Sequence, residues 1–204
     1  FPLEMRTFPL PQMAAGELLV RITCSTVCGS DLHTYRGRRA TPVPTVLGHE
    51  IIGVIDAFGP GGPFEDLDGV PLRIGDRVTW SIAASCGECF FCKRRLPQKC
   101  AHLFKYGHER ITEAHPRSGG LADYCHLAPG TAMVRLPESL PDTVACPANC
   151  ATATVAAAFR TANLDPLDLE NGTVLIQGAG MLGLTACAMA EAMGWRQIFV
   201  ADVA

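Results

Sequence analysis

Short hydrophobic segments, separated by glycine, proline and aspartate, recur through the first 147 residues of the chain. Residues 16–27, 50–59 and 75–84 are rich in β-branched residues, and each segment predicts a strand. Residues 119–137 predict two more short strands with a Pro-Gly turn between them. Because frequent Gly and Pro favour short strands and turns over long helices, this part of the chain is predicted to be rich in β structure.

The hydrophobic pattern changes near residue 150. Residues 150–164 are Ala-rich and predict a helix. Residues 172–177 predict an apolar strand, residues 184–194 a helix that ends at a glycine, and residues 197–202 a second apolar strand. A strand, a glycine turn, a helix and a strand in this order predict a βαβ unit whose two strands are parallel and buried.

This change predicts a domain boundary near residue 152, with one domain at 1–152 and a partial second domain at 153–204. A doubly wound nucleotide-binding domain needs several more strands than the second segment provides. The chain also begins at Phe1, without an initiator methionine. We therefore expect a fragment that is truncated at both ends.

The glycine turn GAGMLG, residues 178–183, has the spacing and context of a dinucleotide-binding turn. Gly178 would permit the tight turn, Gly180 the close approach of a pyrophosphate, and Gly183 the close packing of helix on strand. Asp202 would accept hydrogen bonds from the adenosine ribose and repel a 2′-phosphate, which favours NAD over NADP. The alternative is a structural turn with an incidental surface aspartate.

Composition narrows the class of protein. The net charge of −3 gives no reason to expect a nucleic acid or an anionic membrane surface as a partner, and no apolar run is long enough to span a bilayer. Ten cysteines in 204 residues would allow a secreted disulfide scaffold, but such chains are usually much shorter, and no signal peptide is visible. Reduced cysteines that bind metal in an intracellular protein are the favoured interpretation.

One short stretch contains four of these cysteines, Cys86, Cys89, Cys92 and Cys100. Four thiolates suit tetrahedral zinc and leave no open coordination position, which is typical of a structural site. An iron–sulfur cluster is the alternative, because bacterial ferredoxins begin with the same spacing, but their closing three-residue spacing and following proline are missing here. Four thiolates would leave zinc with a net charge of about −2, a poor environment for a developing alkoxide. We therefore predict that the chemistry lies elsewhere.

A second candidate metal site combines three distant segments, CGSDLH, GHE and NCATAT, which contain Cys28, His49 and Cys150. Two thiolates and one imidazole would leave the fourth position of zinc open for water or substrate, as in catalytic sites of the Cys2His type. Each residue also has a simpler interpretation, as a small buried cysteine or a hydrogen-bonded core histidine. Composition alone does not decide between them.

Taken in order, CGSDLH, LGHEIIG, GDRV, the four-cysteine loop, CATAT and GAGMLG resemble the zinc-dependent medium-chain alcohol dehydrogenase family over essentially the whole chain. The resemblance implies an α/β plus β fold, in which a GroES-like, β-rich catalytic domain is followed by the start of a Rossmann domain, with the chemistry in the cleft between them. Residues 118–137, CATATVAAA and GAGMLGLTA also resemble a bacterial subgroup of this family that is associated with phosphonate catabolism.

The resemblance implies a role for each residue of the second metal site. Cys28, His49 and Cys150 would be the ligands of a catalytic zinc ion. Glu50 would be a nearby carboxylate that can approach the metal. Asp31 would orient the ring of His49 through a hydrogen bond and so determine its tautomer.

The resemblance also implies residues for proton transfer and for the coenzyme. Ser30 and His33 would pass the alcohol proton through the ribose of the coenzyme towards solvent, and Thr154 would lie against the nicotinamide. Some members of the family have a basic residue directly after the first zinc-binding cysteine, where it contacts the pyrophosphate. This chain has Gly29 there, so that charge comes from elsewhere or is absent.

The remaining cysteines and histidines match no position of the family's sites. Cys24, Cys125, Cys146 and Cys187 are interpreted as small buried residues. The segment YGHE, residues 106–109, repeats the His-Glu pair of residues 49–50. Because it follows a charged, loop-like stretch, it is interpreted as surface, and His108 receives no role.

The predicted function is the reversible oxidation of a small-molecule alcohol to an aldehyde or ketone by NAD, with two zinc ions per chain. The alternatives are a polyol or amino-alcohol dehydrogenase of the same family, a non-catalytic zinc-binding module, and a redox-sensing or iron–sulfur protein. The resemblance further implies a cytoplasmic protein that forms a homo-oligomer, a dimer or tetramer, at full length.

Overall fold

The structure, a computed structural model, describes residues 3–61, 64–113, 117–162 and 172–203. The chain divides into two compact units, Phe1–Cys146 and Pro147–Ala204. The division lies a few residues before the boundary that the sequence pattern predicts near residue 152.

The first unit is built on antiparallel strands. These are β1 (Leu18–Thr26), β2 (Glu50–Phe58), β3 (Arg77–Trp80), β4 (Ala83–Ala84), β5 (Phe104–Lys105), β6 (Tyr124–Leu127) and β7 (Met133–Arg135). Within the described residues, five of them form one sheet in the order β6-β1-β2-β3-β7, and β4 pairs with β5. Apolar side chains of the larger sheet form a core in which each fully buried large side chain contributes about 1.5–3 kcal/mol. That core includes Leu18, Val20, Ile51, Ile55, Val78 and Trp80.

Most of the strands lie where the hydrophobic pattern predicts them, but the segment 75–84 does not form one strand. It is divided between β3 and β4, which belong to different sheets. The N–H group of Ser81 donates a hydrogen bond to the carbonyl of Ala132, which lies beside β7. The next residue, Ile82, accepts a hydrogen bond at its carbonyl from the N–H group of Tyr106, which lies beside β5. The chain therefore changes hydrogen-bonding partner between two adjacent residues.

The helices of this unit are short. They are α1 (Gly29–Tyr35), α2 (Phe90–Lys93) and α3 (Asp142–Ala145), and a 3-10 turn lies at Pro97–Lys99. A second 3-10 turn, Cys146–Asn149, includes the last residue of this unit and the first residues of the next. The hydrophobic pattern did not predict α1, because a seven-residue helix presents too few positions to show a helical period. A local cap starts it instead: Cys28 is the N-cap residue, and the carboxylate of Asp31 accepts the N–H of Cys28 at 2.9 Å.

The pairing of β1 with β2 brings the segments of the candidate metal site together. The two strands are antiparallel, and the register pairs Thr26, at the end of β1, with Glu50, at the start of β2. Cys28 follows β1 by two residues and His49 immediately precedes β2. Because the end of one antiparallel strand meets the start of the next, both residues lie at the same end of the sheet.

The second unit contains α4 (Ala151–Ala162), β8 (Thr173–Gln177), α5 (Met181–Ala192) and β9 (Gln197–Ala201). The strands β8 and β9 are parallel, as predicted. Helix α5 begins three residues earlier than expected, because the glycine turn itself supplies its N-cap, Gly180. The two strands are half-buried or exposed rather than buried, since full burial of a parallel sheet requires helices on both faces. None of the described helices combines the length and apolar character needed to cross a membrane.

Candidate metal and cofactor sites

Three potential metal ligands of the first unit converge at the end of the sheet where β1 and β2 meet. The Sγ atom of Cys28, a ring nitrogen of His49 and a carboxylate oxygen of Glu50 lie within 4.8 Å of one another. His49 and Glu50 are buried, and Cys28 is half-buried. A thiol, an imidazole and a carboxylate at this separation can share one divalent cation, and thiolate with imidazole favours zinc.

The carboxylate of Asp31 holds this group together. Its Oδ1 atom lies 3.3 Å from Nδ1 of His49 and accepts the N–H of Gly48 at 3.2 Å, while Oδ2 accepts the N–H of Cys28. Burial alone would raise the pKa of Asp31, but the hydrogen bond and charge of His49, together with the two N–H groups, lower this pKa below its ordinary value. Asp31 therefore carries a negative charge that orients His49 with Nε2 available for a metal.

The hydroxyl groups of two residues also lie beside these ligands. Ser30 Oγ lies 3.3 Å from Nε2 of His49, and Thr26 Oγ1 donates to Oε2 of Glu50 at 2.5 Å. Burial would raise the pKa of Cys28, but hydrogen bonds from Ser30 and His49 outweigh burial and lower it. The group thus favours a thiolate, the form of cysteine that binds metal. Thr26 was not predicted as a site residue, because its only sequence signal is its place at the end of β1.

In the segment YGHE, Tyr106, Gly107 and His108 are buried and Glu109 is half-buried, so the interpretation of the segment as surface is wrong. The ring of His108 is 7% exposed and packs on the ring of His49, with the centroids 5.0 Å apart. Gly107 allows this approach, because its φ is +76° and a Cβ atom there would lie 2.7 Å from the carbonyl oxygen of Gly48. The repeat of the GHE triplet at 48–50 and 107–109 was the available sequence signal.

Burial and nearby charge keep His108 neutral. Burial is the larger cause and the positive charge of Arg39 the next, and together they lower the pKa of His108 to about 4. The Nδ1 atom of this ring is buried and has no hydrogen-bond partner among the described residues.

The four-cysteine loop forms a separate, compact group of sulfur atoms. The measured Sγ–Sγ distances are 3.6 Å for Cys89–Cys92, 3.9 Å for Cys89–Cys100 and 3.5 Å for Cys86–Cys100, and all four atoms lie within 4.8 Å of one another. A tetrahedral ion with metal–sulfur bonds of about 2.3 Å requires sulfur atoms about 3.8 Å apart. The four thiols therefore fit a tetrahedral zinc ion.

Backbone N–H groups in this loop favour the thiolate form of two of its cysteines. Hydrogen bonds from the backbone of Ala101 and Cys92 lower the pKa of Cys89 to about 6. The Sγ atom of Cys100 accepts N–H groups of Cys86 and His102 at 3.3 Å each, and its pKa is lowered as well. Burial and the adjacent thiols raise the pKa of Cys92 to about 11. A bound dication would relieve this competition among four close sulfur atoms.

The four other cysteines lie outside both groups. Cys125 and Cys146 are buried, as predicted, whereas Cys24 and Cys187 are only half-buried. The thiol of Cys146 donates to the backbone carbonyl of Glu50 at 3.2 Å, which supports the start of β2.

The glycine turn of the second unit is tight, and it is open on the side of Gly180. Gly178 has a φ of +101°, and a Cβ atom at Gly180 would meet no atom within 4 Å, so the turn is open on that side. A Cβ atom at Gly183 would overlap the carbonyl oxygen of Gly178. Helix α5 therefore packs tightly on the turn and presents its N-terminal N–H groups where a pyrophosphate can approach.

The other predicted cofactor residues lie at the ends of elements of the second unit. The carboxylate of Asp202 follows β9 and accepts the N–H of Ala179 in the glycine turn and that of Val203. Cys150 immediately precedes α4, and its carbonyl accepts both the N–H and the hydroxyl of Thr154.

In the first unit, His33 lies in the last turn of α1 with an exposed side chain.

The fold and the side chains thus define a β-rich domain with two candidate metal groups, followed by a strand–turn–helix–strand unit. The alcohol dehydrogenase GroES-like domain family matches residues 14–138. The chain is 35% identical to the 5-exo-hydroxycamphor dehydrogenase of Pseudomonas putida, over 95% of this chain and 52% of that protein. The predicted GroES-like fold class is therefore confirmed.

Two solved structures are also similar. An alcohol dehydrogenase from Thermotoga maritima is 33% identical with a TM-score of 0.89, over 98% of this chain and 54% of that one. An Escherichia coli alcohol dehydrogenase complexed with NADH is 32% identical with a TM-score of 0.75, over 97% of this chain and 52% of that one. The chain belongs to the zinc-dependent medium-chain alcohol dehydrogenase family, and it spans about half the length of the relatives it matches.

Proposed function

We propose that the complete protein is an NAD-dependent alcohol dehydrogenase that contains two zinc ions per chain. The observation that carries this proposal is the group of Cys28, His49 and Glu50. The carboxylate of Asp31 holds the imidazole of His49 at its Nδ1 atom. Oxidation of an alcohol by a nicotinamide needs an electrophile at the alcohol oxygen and a hydride acceptor beside the carbinol carbon. The family to which the chain belongs supports both requirements.

Cys28, His49 and Cys150 would hold the catalytic zinc ion. Two thiolates balance the charge of Zn²⁺, and three protein ligands leave one coordination position for the substrate. Glu50 would lie next to this ion, held by the hydroxyl of Thr26. The second zinc ion would be held by Cys86, Cys89, Cys92 and Cys100. Their four thiolates would fill its coordination positions and leave none for a substrate.

When bound, the zinc ion would polarise the alcohol oxygen and lower its pKa, and NAD would accept the hydride. The protein residues then have to transfer the alcohol proton to solvent. Ser30, whose hydroxyl lies at Nε2 of His49, would accept the alcohol proton as it releases its own, and His33, in the next turn of α1, would pass a proton to solvent. Histidine suits this step because its ring nitrogens can both accept and donate a proton. Asp31 keeps the His49 ring in the orientation and tautomer that zinc binding needs.

NAD would bind at the glycine turn of the second unit. The open side of Gly180 and the N-terminus of α5 suit the pyrophosphate, and Thr154 would lie against the nicotinamide. Asp202 would bind the adenosine ribose. The NADH complex of the similar Escherichia coli dehydrogenase supports this choice of coenzyme.

The proposal is tested with the full-length protein. We expect reduction of NAD by a member of a panel of alcohols and polyols, and about two zinc ions per chain by mass spectrometry of the same sample. One zinc ion and no turnover would instead indicate a structural zinc-binding module. Iron with visible absorbance would indicate an iron–sulfur protein. Polyol and amino-alcohol substrates in the panel separate the alternatives within the family.

Replacement of Asp202 by alanine is expected to weaken the preference for NAD over NADP, because the carboxylate no longer repels a 2′-phosphate. Asp202→Asn tests the charge more specifically, since the asparagine removes the negative charge but its side-chain oxygen can still accept the N–H of Ala179. The ratio of kcat/KM for NAD to that for NADP should fall about tenfold or more in both variants. Asp56→Ala, at an exposed position of β2, should leave the ratio unchanged. An unaltered ratio in both Asp202 variants would remove the proposed role.

We further propose that the complete protein is cytoplasmic and forms a dimer or tetramer, as is usual in the family. Light scattering of the full-length protein after size-exclusion chromatography measures its mass.

A further inference from the structure

Glu50 is a buried acidic residue without an ion pair to any described cation. It is 6% exposed, and none of the ion pairs among the described residues includes it. Within the described part of the chain, the hydrogen bond to its carboxylate comes from the hydroxyl of Thr26, 2.5 Å from Oε2. A buried carboxylate is costly unless donors or a cation occupy its several acceptor positions. Glu50 therefore has acceptor positions left for a cation.

The sheet explains why Thr26 contacts this carboxylate. Thr26 and Glu50 are directly opposite each other in the pairing of β1 with β2, and opposite residues have Cβ atoms about 4.5–5.5 Å apart on one face. The backbone of Glu50 is held by this pairing and by the thiol of Cys146, which donates to its carbonyl at 3.2 Å. The carboxylate therefore changes position mainly by rotation of its side chain, and the hydrogen bond from Thr26 opposes that rotation.

The position of the carboxylate matters because it lies among the potential ligands. One of its oxygens is within 4.8 Å of Sγ of Cys28 and of a ring nitrogen of His49. Cys28, His49 and Cys150, the ligands of the proposed function, leave one of four zinc positions for the substrate. A fourth protein ligand would fill that position, as in structural zinc sites. A third anionic ligand would also give the site a net charge of about −1, which disfavours a developing alkoxide.

We propose that Thr26 is a positioning residue, whose hydroxyl holds the carboxylate of Glu50 off the metal ion and so keeps one coordination position open for the substrate. This inference rests on the proposed function. The distance of 2.5 Å is that of a hydrogen bond from a hydroxyl to a carboxylate ion, a class about twice as strong as neutral hydrogen bonds. Such a bond competes with the metal for the carboxylate oxygen. If Thr26 instead held Glu50 on the metal, the site would be closed to substrate.

Thr26→Val removes the hydroxyl and keeps the shape of the side chain. In the full-length protein with both metal sites filled, we expect kcat/KM for a substrate alcohol to fall about 10- to 100-fold, while both zinc ions remain. A chelator should remove the zinc ion at His49 at least about tenfold more slowly than in the wild-type protein, because four protein ligands then hold it. Thr26→Ser keeps the hydroxyl and should restore both values.

Imidazole, a small neutral metal ligand, measures the open position directly. Full-length protein loaded with Co²⁺ in place of zinc is titrated with imidazole, and the visible absorption of the cobalt reports binding. The four thiolates of the cysteine loop leave no position for imidazole there. Thr26→Val should bind imidazole at least about tenfold more weakly than the wild-type protein and Thr26→Ser. Combination of Thr26→Val with Glu50→Gln should restore binding, because the effect acts through the carboxylate.

Thr79→Val is the matched control. The hydroxyl of Thr79, on β3, donates to the carbonyl of Ile51 at 2.8 Å, one residue after Glu50. The variant thus removes a hydrogen bond to the same strand and leaves the carboxylate alone. It should change neither imidazole binding nor the rate of zinc removal. The inference is wrong if Thr26→Val loses zinc faster than the wild-type protein, or if it binds imidazole equally well.

Failure of the proposed function gives a different result. If the wild-type protein holds two metal ions but oxidises no alcohol of the panel, the proposed function fails, and the imidazole titration still decides the role of Thr26. If the wild-type protein holds a metal ion in the four-cysteine loop and none at His49, both the proposed function and this inference are contradicted.

Discussion

Replacement of Cys28 by alanine in the full-length protein is expected to lower kcat by at least about 1000-fold, because a bound metal stabilises the transition-state charge by several kcal/mol and each 1.36 kcal/mol is a factor of ten. The variant should lose one zinc ion of the two and keep its folding stability to within about 1 kcal/mol, since Cys28 is only half-buried. Steady-state kinetics and metal analysis of one sample measure both quantities. Cys150→Ala should behave in the same way.

Cys187→Ala is the matched control for this experiment. Cys187 is also half-buried and lies in α5, outside both groups of potential ligands. It should keep both zinc ions and full activity. Unchanged activity in either Cys28→Ala or Cys150→Ala would refute the assigned catalytic site.

Replacement of Cys89 by alanine is expected to act on stability first. Removal of one of four thiolates leaves an incomplete tetrahedral site, and binding of a structural zinc ion contributes directly to the free energy of folding. The variant should unfold at a temperature at least about 6–12 °C lower, which corresponds to a loss of about 3 kcal/mol or more. Thermal unfolding followed by circular dichroism measures the change.

The same control separates the loss of zinc from the loss of a cysteine. Cys187→Ala should unfold close to the wild-type temperature, and the chelator-treated wild-type protein should resemble Cys89→Ala. If Cys89→Ala retains two zinc ions and wild-type stability, the four-cysteine loop is not a zinc site. A parallel loss of activity at temperatures where the variant is still folded would show that the loop has a catalytic part as well.

The features that sequence predicted best are those in which neighbouring residues contain the whole signal. The four cysteines lie within one short loop, so their spacing alone indicates a tetrahedral group, and the structure brings the four sulfur atoms together. The strands β1 and β2 and the unit of β8, the glycine turn, α5 and β9 were predicted from hydrophobic runs bounded by turn residues. In each case the local pattern and the tertiary structure favour the same conformation.

The features that sequence missed depend on contacts between distant residues. Helix α1 starts where the carboxylate of Asp31 accepts the N–H of the N-cap residue Cys28. The same carboxylate contacts Gly48 and His49. A hydrophobic pattern does not indicate such polar contacts. The burial of His108 depends on the close passage of Gly107 beside Gly48. Charged neighbours in sequence made this segment resemble a surface loop, whereas its neighbours in space are buried.

The central claim is that Cys28, His49 and Cys150 hold one zinc ion with a free coordination position. Anomalous X-ray diffraction from crystals of the full-length protein, measured on both sides of the zinc absorption edge, tests it directly. We expect two peaks per chain, one of them about 2.3 Å from the Sγ atoms of Cys28 and Cys150 and about 2.0–2.1 Å from Nε2 of His49. A single peak within the four-cysteine loop, and none at His49, would contradict the claim.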